Sequence, residues 1–283
     1  MHVYYILVKQ HSQYNFHFNR HENKVEVILF IMRNCDSSFV GVIDSGVGGL
    51  TVLRRLQRDF PHGNYVYLAD SAYCPYGVKS PNEIQRRVET LIKYLQDNGA
   101  QAVVIACNTA SVFADILRAQ FNLPIYDVIA PTCKQVASVT RNKRVALLAT
   151  NATVNSGVYQ RELAKKDIAV EAFRCSRFVP FVEANNVDTS ECDEAVAKAL
   201  SALPKSNVDA VILGCTHFPI LRKKIAPYTN GANIVECCCD FQPSASWQCT
   251  RPLKTQFFTT GVEKQANYAS QWFGKTDFIH VDL

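Results

Sequence analysis

The sequence predicts an α/β protein of two similar domains, with parallel-sheet cores covered by helices and an active site in the cleft between them. Strand-like and helix-like patterns alternate twice along the chain, which is typical of parallel sheets. In addition, residues 101–109 and 209–217 are nearly the same segment: a buried-strand pattern that ends in a cysteine followed by polar residues. Cys107 and Cys215 therefore occupy equivalent positions in two related halves.

The first half of the chain alternates strands with helices. Strands are predicted at 39–43, 64–69, 101–106 and 124–129, with helices at 50–60 and 113–121. The clearest helix follows Ser80, which has capping-box spacing with Glu83 and a proline at the first helical position. Its apolar residues recur with a 3.6-residue period over 84–95, so this helix should bury one face.

The second half repeats this order. Strands are predicted at 144–149, 168–174, 208–213, 255–259 and 277–281, and helices at 157–166, 191–203 and 262–273. Ligands of such sheets bind beyond the carboxyl ends of the strands. The candidate residues that fall there are Asp44, Asp70, Cys107, Thr150 and Cys215.

Composition places the chain among globular proteins and excludes several functions. Its 283 residues are 48% hydrophobic and 19% charged, enough for one large or two smaller domains. The net charge of +5 comes without a basic stripe, so no nucleic-acid partner is predicted. No apolar run approaches the ~20 residues of a membrane span, so no membrane partner is predicted either. The eleven cysteines are irregularly spaced, which predicts free thiols in a reducing compartment.

Residues 1–34 differ from the remainder of the chain. They hold four of the seven histidines and lack the order of a signal peptide. We expect a disordered N-terminal extension here, and Met32 could serve as the start of the protein.

A glycine-rich segment follows the first strand, from Asp44 to Thr51. Glycines between a strand and a helix expose backbone N–H groups that can bind an anion. A dinucleotide site is the rival interpretation, but the third glycine of that fingerprint is missing and Asp44 would face the pyrophosphate. A small molecule with a carboxylate fits better, with Asp44 acting on its ammonium group or on a nearby thiol.

The turn Cys74-Pro75-Tyr76-Gly77 before the capped helix is a second candidate. Its backbone donors and the tyrosine could hold a carboxylate. A proline–aromatic–glycine turn is also common in ordinary loops, so this motif alone does not decide between a site and a loop.

The two repeated cysteines are the strongest catalytic candidates. Two thiols facing one cleft could act on opposite faces of one carbon, which inversion of a stereocentre by proton transfer requires. A thiol with a pKa near ~8.5 becomes a base only when its thiolate is stabilised. The following helix would help at each cysteine, with His217 poising Cys215 and Asp44 poising Cys107. The structural alternative, a small buried hydrophobe, is expected for Cys133, Cys175 and Cys192.

The run Cys237-Cys238-Cys239 with Cys249 raises the question of a metal site. No histidine is near, and adjacent cysteines are poor joint ligands of one tetrahedral ion. We therefore predict no metal.

The chain contains four motifs in a fixed order. They are Asp44-Ser45-Gly46-Val47-Gly48-Gly49-Leu50, Pro75-Tyr76-Gly77, Cys107-Asn108-Thr109-Ala110-Ser111 and Gly214-Cys215-Thr216-His217-Phe218-Pro219. Together they resemble the glutamate racemases of the aspartate/glutamate racemase family, over about residues 40–235 and again at 256–283. The resemblance implies cofactor-independent interconversion of L- and D-glutamate in the cytoplasm, for peptidoglycan synthesis and hence cell shape, by a homodimer.

The resemblance also assigns site residues. It implies Cys107 and Cys215 as the two bases, with Asp44, His217 and Glu183 in supporting catalytic positions. The positions that match substrate contacts are Asp44, Ser45, Pro75, Tyr76, Gly77, Asn108, Thr109, Thr150, Thr216 and His217. The implied domains are a discontinuous one of residues 35–131 and 238–283, and a second of residues 132–237.

Alternatives stay open at this point. Related two-cysteine racemases act on aspartate or hydantoins, and an inactive or moonlighting binding protein would keep the same motifs. The sequence departs from the family after Val235, because residues 236–249 have no helical period. We expect a mobile, protease-sensitive loop there, not shaped to pack, where relatives have a helix.

Overall fold

The computed structural model describes residues 39–205, 207–243 and 255–283. The predicted extension at 1–34 lies outside these residues. The strands are β1 (Phe39–Asp44), β2 (Tyr65–Ala69), β3 (Ala100–Ile105), β4 (Ile125–Asp127), β5 (Arg144–Ala149), β6 (Ala169–Arg174), β7 (Ala210–Gly214), β8 (Asn233–Glu236), β9 (Gln256–Thr259) and β10 (Phe278–His280). The α-helices are α1 (Leu50–Asp59), α2 (Pro81–Asp97), α3 (Asn108–Ser111), α4 (Ala114–Gln120), α5 (Ile129–Val139), α6 (Asn151–Ser156), α7 (Val158–Ala164), α8 (Phe178–Glu183), α9 (Ser190–Leu200), α10 (Arg222–Ile225), α11 (Glu263–Asn267) and α12 (Ser270–Phe273).

The strands form two parallel sheets, which confirms the predicted fold class. Sheet A has the order β10-β9-β2-β1-β3-β4, and sheet B has the order β6-β5-β7-β8. In sheet A, the end of β1 pairs with β2 through Asp44 and Ala69. In sheet B, the end of β5 pairs with β7 through Ala149 and Gly214. The predicted domain boundaries stay a prediction.

Each predicted strand and helix has a counterpart, with two kinds of difference. The predicted helix at 262–273 is two short helices, α11 and α12. Several elements were not predicted, among them α5, α6, α8 and β8. Elements α6, α8 and β8 are short, and Pro180 interrupts α8, so they offer too few turns for a period to show. Helix α5 is longer, and its buried Ile129, Cys133 and Val136 do follow a helical period, so this helix was predictable from the sequence.

Helix α2 forms as its sequence predicts. The Glu83 N–H donates to Ser80 Oγ, and Ser80 N–H donates to Glu83 Oε2 at 3.0 Å, which completes the capping box. The apolar stripe along 84–95 is buried beneath sheet A. This helix therefore covers the face of sheet A that points away from sheet B.

The two sheets share one apolar core. The largest cluster of buried side chains contains Val42 and Tyr67 of sheet A together with Leu148 and Val211 of sheet B. Two further clusters lie on the outer faces, under α2 in sheet A and under α5 and α7 in sheet B. Because each fully buried side chain of this size contributes roughly 1.5–3 kcal/mol, the shared cluster holds the two sheets together. Within the described residues, no helix combines the length and the apolar character needed to cross a membrane.

The segment after β8 differs in part from expectation. Residues 237–243 contain no helix, as predicted. However, the expectation that this segment does not pack is wrong for its described part, because Cys237 and Phe241 are buried. The Phe241 ring lies edge-on to Phe60 at 5.4 Å and to Tyr126 at 5.0 Å between ring centroids. The rest of the predicted loop, residues 244–249, lies outside the described residues.

Candidate active site

A narrow cavity of only about 10 Å³ lies where the carboxyl ends of the two sheets meet. It is lined by Ser45, Pro75, Tyr76, Gly77, Cys107, Asn108, Thr109, Thr150, Val179, Cys215, Thr216 and His217. Both repeated cysteines face it, Cys107 after β3 of sheet A and Cys215 after β7 of sheet B. All the lining residues except Val179 are candidates from the sequence. Three candidates lie behind the lining: Asp44, Glu183 and Asp70, the last in contact with the Tyr76 hydroxyl.

On the sheet B side, a thiol, an imidazole and a carboxylate form a hydrogen-bonded row. Cys215 Sγ is 3.6 Å from His217 Nδ1, and His217 Nε2 is 2.5 Å from Glu183 Oε1. Burial lowers the pKa of His217, but the hydrogen bonds with Cys215 and Glu183 outweigh it and hold this pKa well above its usual value. His217 is therefore an imidazolium at neutral pH that can exchange a proton with the thiol.

The glycine-rich loop of sheet A docks onto this pair. Val47 N–H donates to Glu183 Oε1 at 2.8 Å. A Cβ on Gly46 would lie 2.1 Å from the same oxygen, and a Cβ on Gly48 would lie 2.6 Å from His217 Nδ1. The glycines are therefore needed because the loop backbone touches the Glu183–His217 pair. The N–H groups of Gly46 and Val47, which were expected to bind a ligand anion, instead bind the protein's own carboxylates, Asp44 and Glu183.

Asp44 ends β1 and is 2% exposed. Its Oδ2 accepts from Gly46 N–H at 3.1 Å, and its Oδ1 accepts from Thr216 Oγ1 at 3.1 Å. Burial raises the pKa of this carboxyl to about 6, although the positive charge of His217 opposes the rise. Asp44 is therefore a buried anion above pH 6 that lacks a directly bonded cation among these contacts.

On the sheet A side, Cys107 has no imidazole beside it, and its hydrogen-bond partner is a neutral hydroxyl. Its Sγ donates to Ser45 Oγ at 3.8 Å. Cys107 occupies the N-cap position of the short helix α3, where its side chain makes no capping hydrogen bond. Burial raises the pKa of Cys107 to about 12, and the charge of Asp44 adds to the rise. Asp44 therefore does not poise Cys107 as a thiolate in the way that the sequence suggested, since two negative charges would face each other. In the absence of another cation, Cys107 is a protonated thiol.

Tyr76 lines the cavity with its hydroxyl turned away. The hydroxyl donates to Asp70 Oδ2 at 2.5 Å, and Asp70 also accepts two hydrogen bonds from the Arg87 guanidinium at 2.7 and 2.8 Å. Asp70 is fully buried, so this pair and its hydrogen bonds fix the 75–77 turn from below. A Cβ on Gly77 would meet Thr150 Cβ at 2.6 Å, which shows how closely this turn meets sheet B.

Hydroxyl and amide groups complete the wall. Thr109 Oγ1 lies 2.9 Å from Thr150 Oγ1 and 3.2 Å from Thr153 Oγ1, so a cluster of three hydroxyls links α3 and α6. Asn108 is held from behind by Tyr159 and Cys237, at 2.6 and 2.9 Å. The sequence did not predict that Tyr159 and Cys237 contact the site, because both lie far from Asn108 along the chain and outside the four motifs.

One group of potential metal ligands occurs among the described residues. Cys74, Glu183 and His217 each offer an atom within 4.8 Å of the others. Glu183 and His217 are already bonded to each other, so a metal would have to break the pair that contacts Cys215. In the earlier candidate, Cys237 instead bonds to Asn108 and Leu213, and Cys249 lies outside the described residues. The absence of a metal site thus stays a prediction.

Comparison with known proteins identifies the fold family. The family model described as Asp/Glu/Hydantoin racemase matches residues 41–238. The glutamate racemase of Picosynechococcus sp. is 34% identical over 266 residues, covering 89% of this chain and 95% of that protein. That of Persephonella marina is 41% identical over 196 residues, covering 68% and 76%.

Solved structures agree with this match. The glutamate racemase of Bacillus anthracis has a TM-score of 0.79 at 30% identity, covering 87% of this chain and 98% of that one. The glutamate racemase of Francisella tularensis in complex with D-glutamate has a TM-score of 0.75 at 29% identity, with the same coverage. With two sheets, two cysteines in one cavity and a family match over most of its length, the chain belongs to the Asp/Glu/Hydantoin racemase family.

Proposed function

We propose that this protein interconverts L- and D-glutamate without a cofactor, by taking the α-proton with one thiolate and delivering a proton from the opposite thiol. One observation carries the proposal: Cys107 and Cys215 come from different sheets and line the same cavity. The relatives support the choice of glutamate, because the glutamate racemases reach 34–41% identity. Two thiols on opposite sides of one carbon can invert it in either direction.

The two half-sites start from different protonation states. The His217 imidazolium can give a proton to the Cys215 thiolate and take it back, and Glu183 stabilises the imidazolium form. Cys107 begins as a thiol because burial and Asp44 raise its pKa to about 12. In the direction that begins at Cys215, its thiolate removes the α-proton and Cys107 donates one to the other face. The reverse direction returns both protons.

The reverse direction needs a Cys107 thiolate, and the substrate itself supplies the missing charge. We infer that the ammonium group of glutamate binds beside Asp44, the buried anion between the two half-sites. The positive charge there offsets the charge of Asp44 that disfavours ionisation of Cys107. Substrate binding thereby favours the thiolate where it is required.

The α-proton of an amino acid is weakly acidic, so the developing carbanion must be stabilised. Donors that face the cavity can serve the α-carboxylate, where the negative charge spreads. These donors are Ser45, Asn108, Thr109, Thr150 and Thr216. We assign them this binding role as a group.

The resemblance supports three further proposals. The product D-glutamate would serve peptidoglycan synthesis, the protein would act in the cytoplasm, and it would form a homodimer. Light scattering of the purified protein at several concentrations tests the homodimer, since a constant monomer mass contradicts it.

The deciding experiment follows racemisation of L- and of D-glutamate by circular dichroism, with aspartate as the comparison substrate. In deuterated water, deuterium should enter the α-position of both enantiomers. Activity should survive dialysis against a chelator and addition of hydroxylamine. Turnover of aspartate but not glutamate would assign another substrate, and a requirement for metal or for a carbonyl cofactor would overturn the two-thiol mechanism.

A further inference from the structure

Cys237 is a buried thiol in the segment where the sequence departs from the family pattern. It follows β8, does not line the cavity and lies immediately behind it. Its Sγ donates to the carbonyl of Leu213 at 3.1 Å, and Asn108 Nδ2 donates to the same sulfur at 2.9 Å. The thiol thus joins the residue after Cys107 to a carbonyl two residues before Cys215.

The hydrogen-bond inventory fixes how these groups are oriented. A carbonyl can only accept, so the single hydrogen of the Cys237 thiol is used on Leu213. The sulfur must then accept from the Asn108 amide, which turns Nδ2 toward the sulfur. The amide oxygen of Asn108 consequently faces the hydroxyl of Tyr159, which donates to it at 2.6 Å. Asn108 lines the cavity, and because only one of its two N–H groups is used on Cys237, the second is left to bind a ligand there.

We propose that Cys237 is a positioning residue for racemisation: it locks the Asn108 amide with its free N–H toward the substrate and ties that amide to the end of β7. This proposal rests on the proposed function, because the locked N–H matters only if it binds glutamate. A donor held in place before reaction costs no reorganisation when charge develops on the substrate. Without the thiol, the amide of Asn108 keeps only the hydrogen bond from Tyr159, so it can pivot about that bond and its second N–H is aimed less closely.

A purely structural role makes a different forecast. A buried cysteine often acts as a small hydrophobe, and Cys237 belongs to the core cluster shared by the two sheets. If packing is its function, Cys237→Val should preserve it, since valine fills the space without hydrogen-bonding. If positioning is its function, Cys237→Ser should preserve it, since a hydroxyl donates and accepts although it fills less space.

The test compares three variants by kcat, KM and Tm, using L- and D-glutamate. We expect kcat to fall about tenfold in both Cys237→Val and Cys237→Ala, the effect of about one hydrogen bond. Cys237→Ser should stay within about threefold of the wild type although its Tm falls. KM should change little, because the free N–H is most valuable when charge develops. Full activity of Cys237→Val, or a loss in Cys237→Ser equal to that in Cys237→Ala, would overturn the proposal.

A second measurement asks whether the effect passes through Asn108. In an Asn108→Ala background, Cys237→Val should lower kcat no further, because the amide that it positions is gone. An undiminished tenfold loss in that background refutes the link even if one single variant folds poorly. Wild-type protein with no glutamate turnover would overturn the proposed function itself. If the wild type turns over glutamate but the valine and serine variants have the same kcat, only the positioning role of Cys237 is overturned.

Discussion

Asp44→Asn should make the protein more stable at alkaline pH while it lowers activity. In the folded state, burial raises the pKa of Asp44 from its ordinary 3.8 to about 6. Between these two values the folded protein binds more protons than the unfolded chain, so the free energy of unfolding falls as pH rises. At about 1.4 kcal/mol per pKa unit, the cost is about 3 kcal/mol above pH 6 and vanishes below pH 4.

An asparagine avoids this cost, since it is neutral at every pH and can still accept from Gly46 and hydrogen-bond with Thr216. The variant should therefore melt about 5–10 °C above the wild type at pH 8, with the gap closing as pH falls toward 4. Its kcat/KM for glutamate should fall about 10–100-fold, because the partner of the substrate ammonium loses its charge.

Thermal unfolding of both proteins at several pH values, followed by far-UV circular dichroism, measures the gap. Asp115→Asn is the matched control, because the side chain of Asp115 is 99% exposed and its replacement should give no gap that grows with pH. A melting difference between Asp44→Asn and the wild type that is independent of pH would refute the assignment of Asp44 as a destabilising buried anion. A wild type that melts above Asp44→Asn at pH 8 would refute it as well.

Three other changes probe the half-sites. Cys107→Ala and Cys215→Ala should each abolish racemisation with unchanged circular dichroism of the fold, and substantial turnover by either variant would exclude the two-base mechanism. Glu183→Gln should lower kcat and move the alkaline limb of the kcat/KM profile to lower pH, because Glu183 helps to raise the pKa of His217; an unmoved limb would contradict that role. Gly48→Ala should lower kcat at least tenfold, since its Cβ would lie 2.6 Å from His217 Nδ1, and kinetics like those of the wild type would show that the loop yields easily.

Two further variants serve as controls for that series. Cys192→Ala removes a buried thiol of α9 outside the cavity lining, so it should lower Tm without lowering kcat. Gly231→Ala places a side chain at a φ of 78°, where L residues are strained, yet its Cβ would meet nothing within 4 Å. It should likewise affect stability alone.

Local sequence was sufficient for much of the fold and for the location of the candidate site. Buried-strand patterns located β3 and β7, and the residues after them fixed where Cys107 and Cys215 lie. The capping box at Ser80 and the period that follows located α2. These features are encoded within a few residues of each other, so a single sequence carries them.

Long-range pairings were beyond reach for a physical reason. The glycine spacing predicts a loop that can approach another group, but it does not say that Val47 meets Glu183, 136 residues away. In the same way, the run after Val235 shows no helical period, while the burial of Cys237 depends on where β7 and α3 bring Leu213 and Asn108. Tertiary contact decides these partners, and no local pattern records it.

The docking of the glycine loop makes activation conditional on assembly. Glu183 and His217 belong to the half built on sheet B, yet the N–H that holds Glu183 comes from Val47 in the half built on sheet A. If the halves separate to admit substrate, the Val47–Glu183 hydrogen bond is broken. The pair of Glu183 and His217 that contacts Cys215 then loses the bond that holds Glu183 in place. The proposed base Cys215 is therefore fully activated only when the two halves are closed around the substrate. When the cleft is open to water, the Cys215 thiol is less reactive toward oxidants and electrophiles.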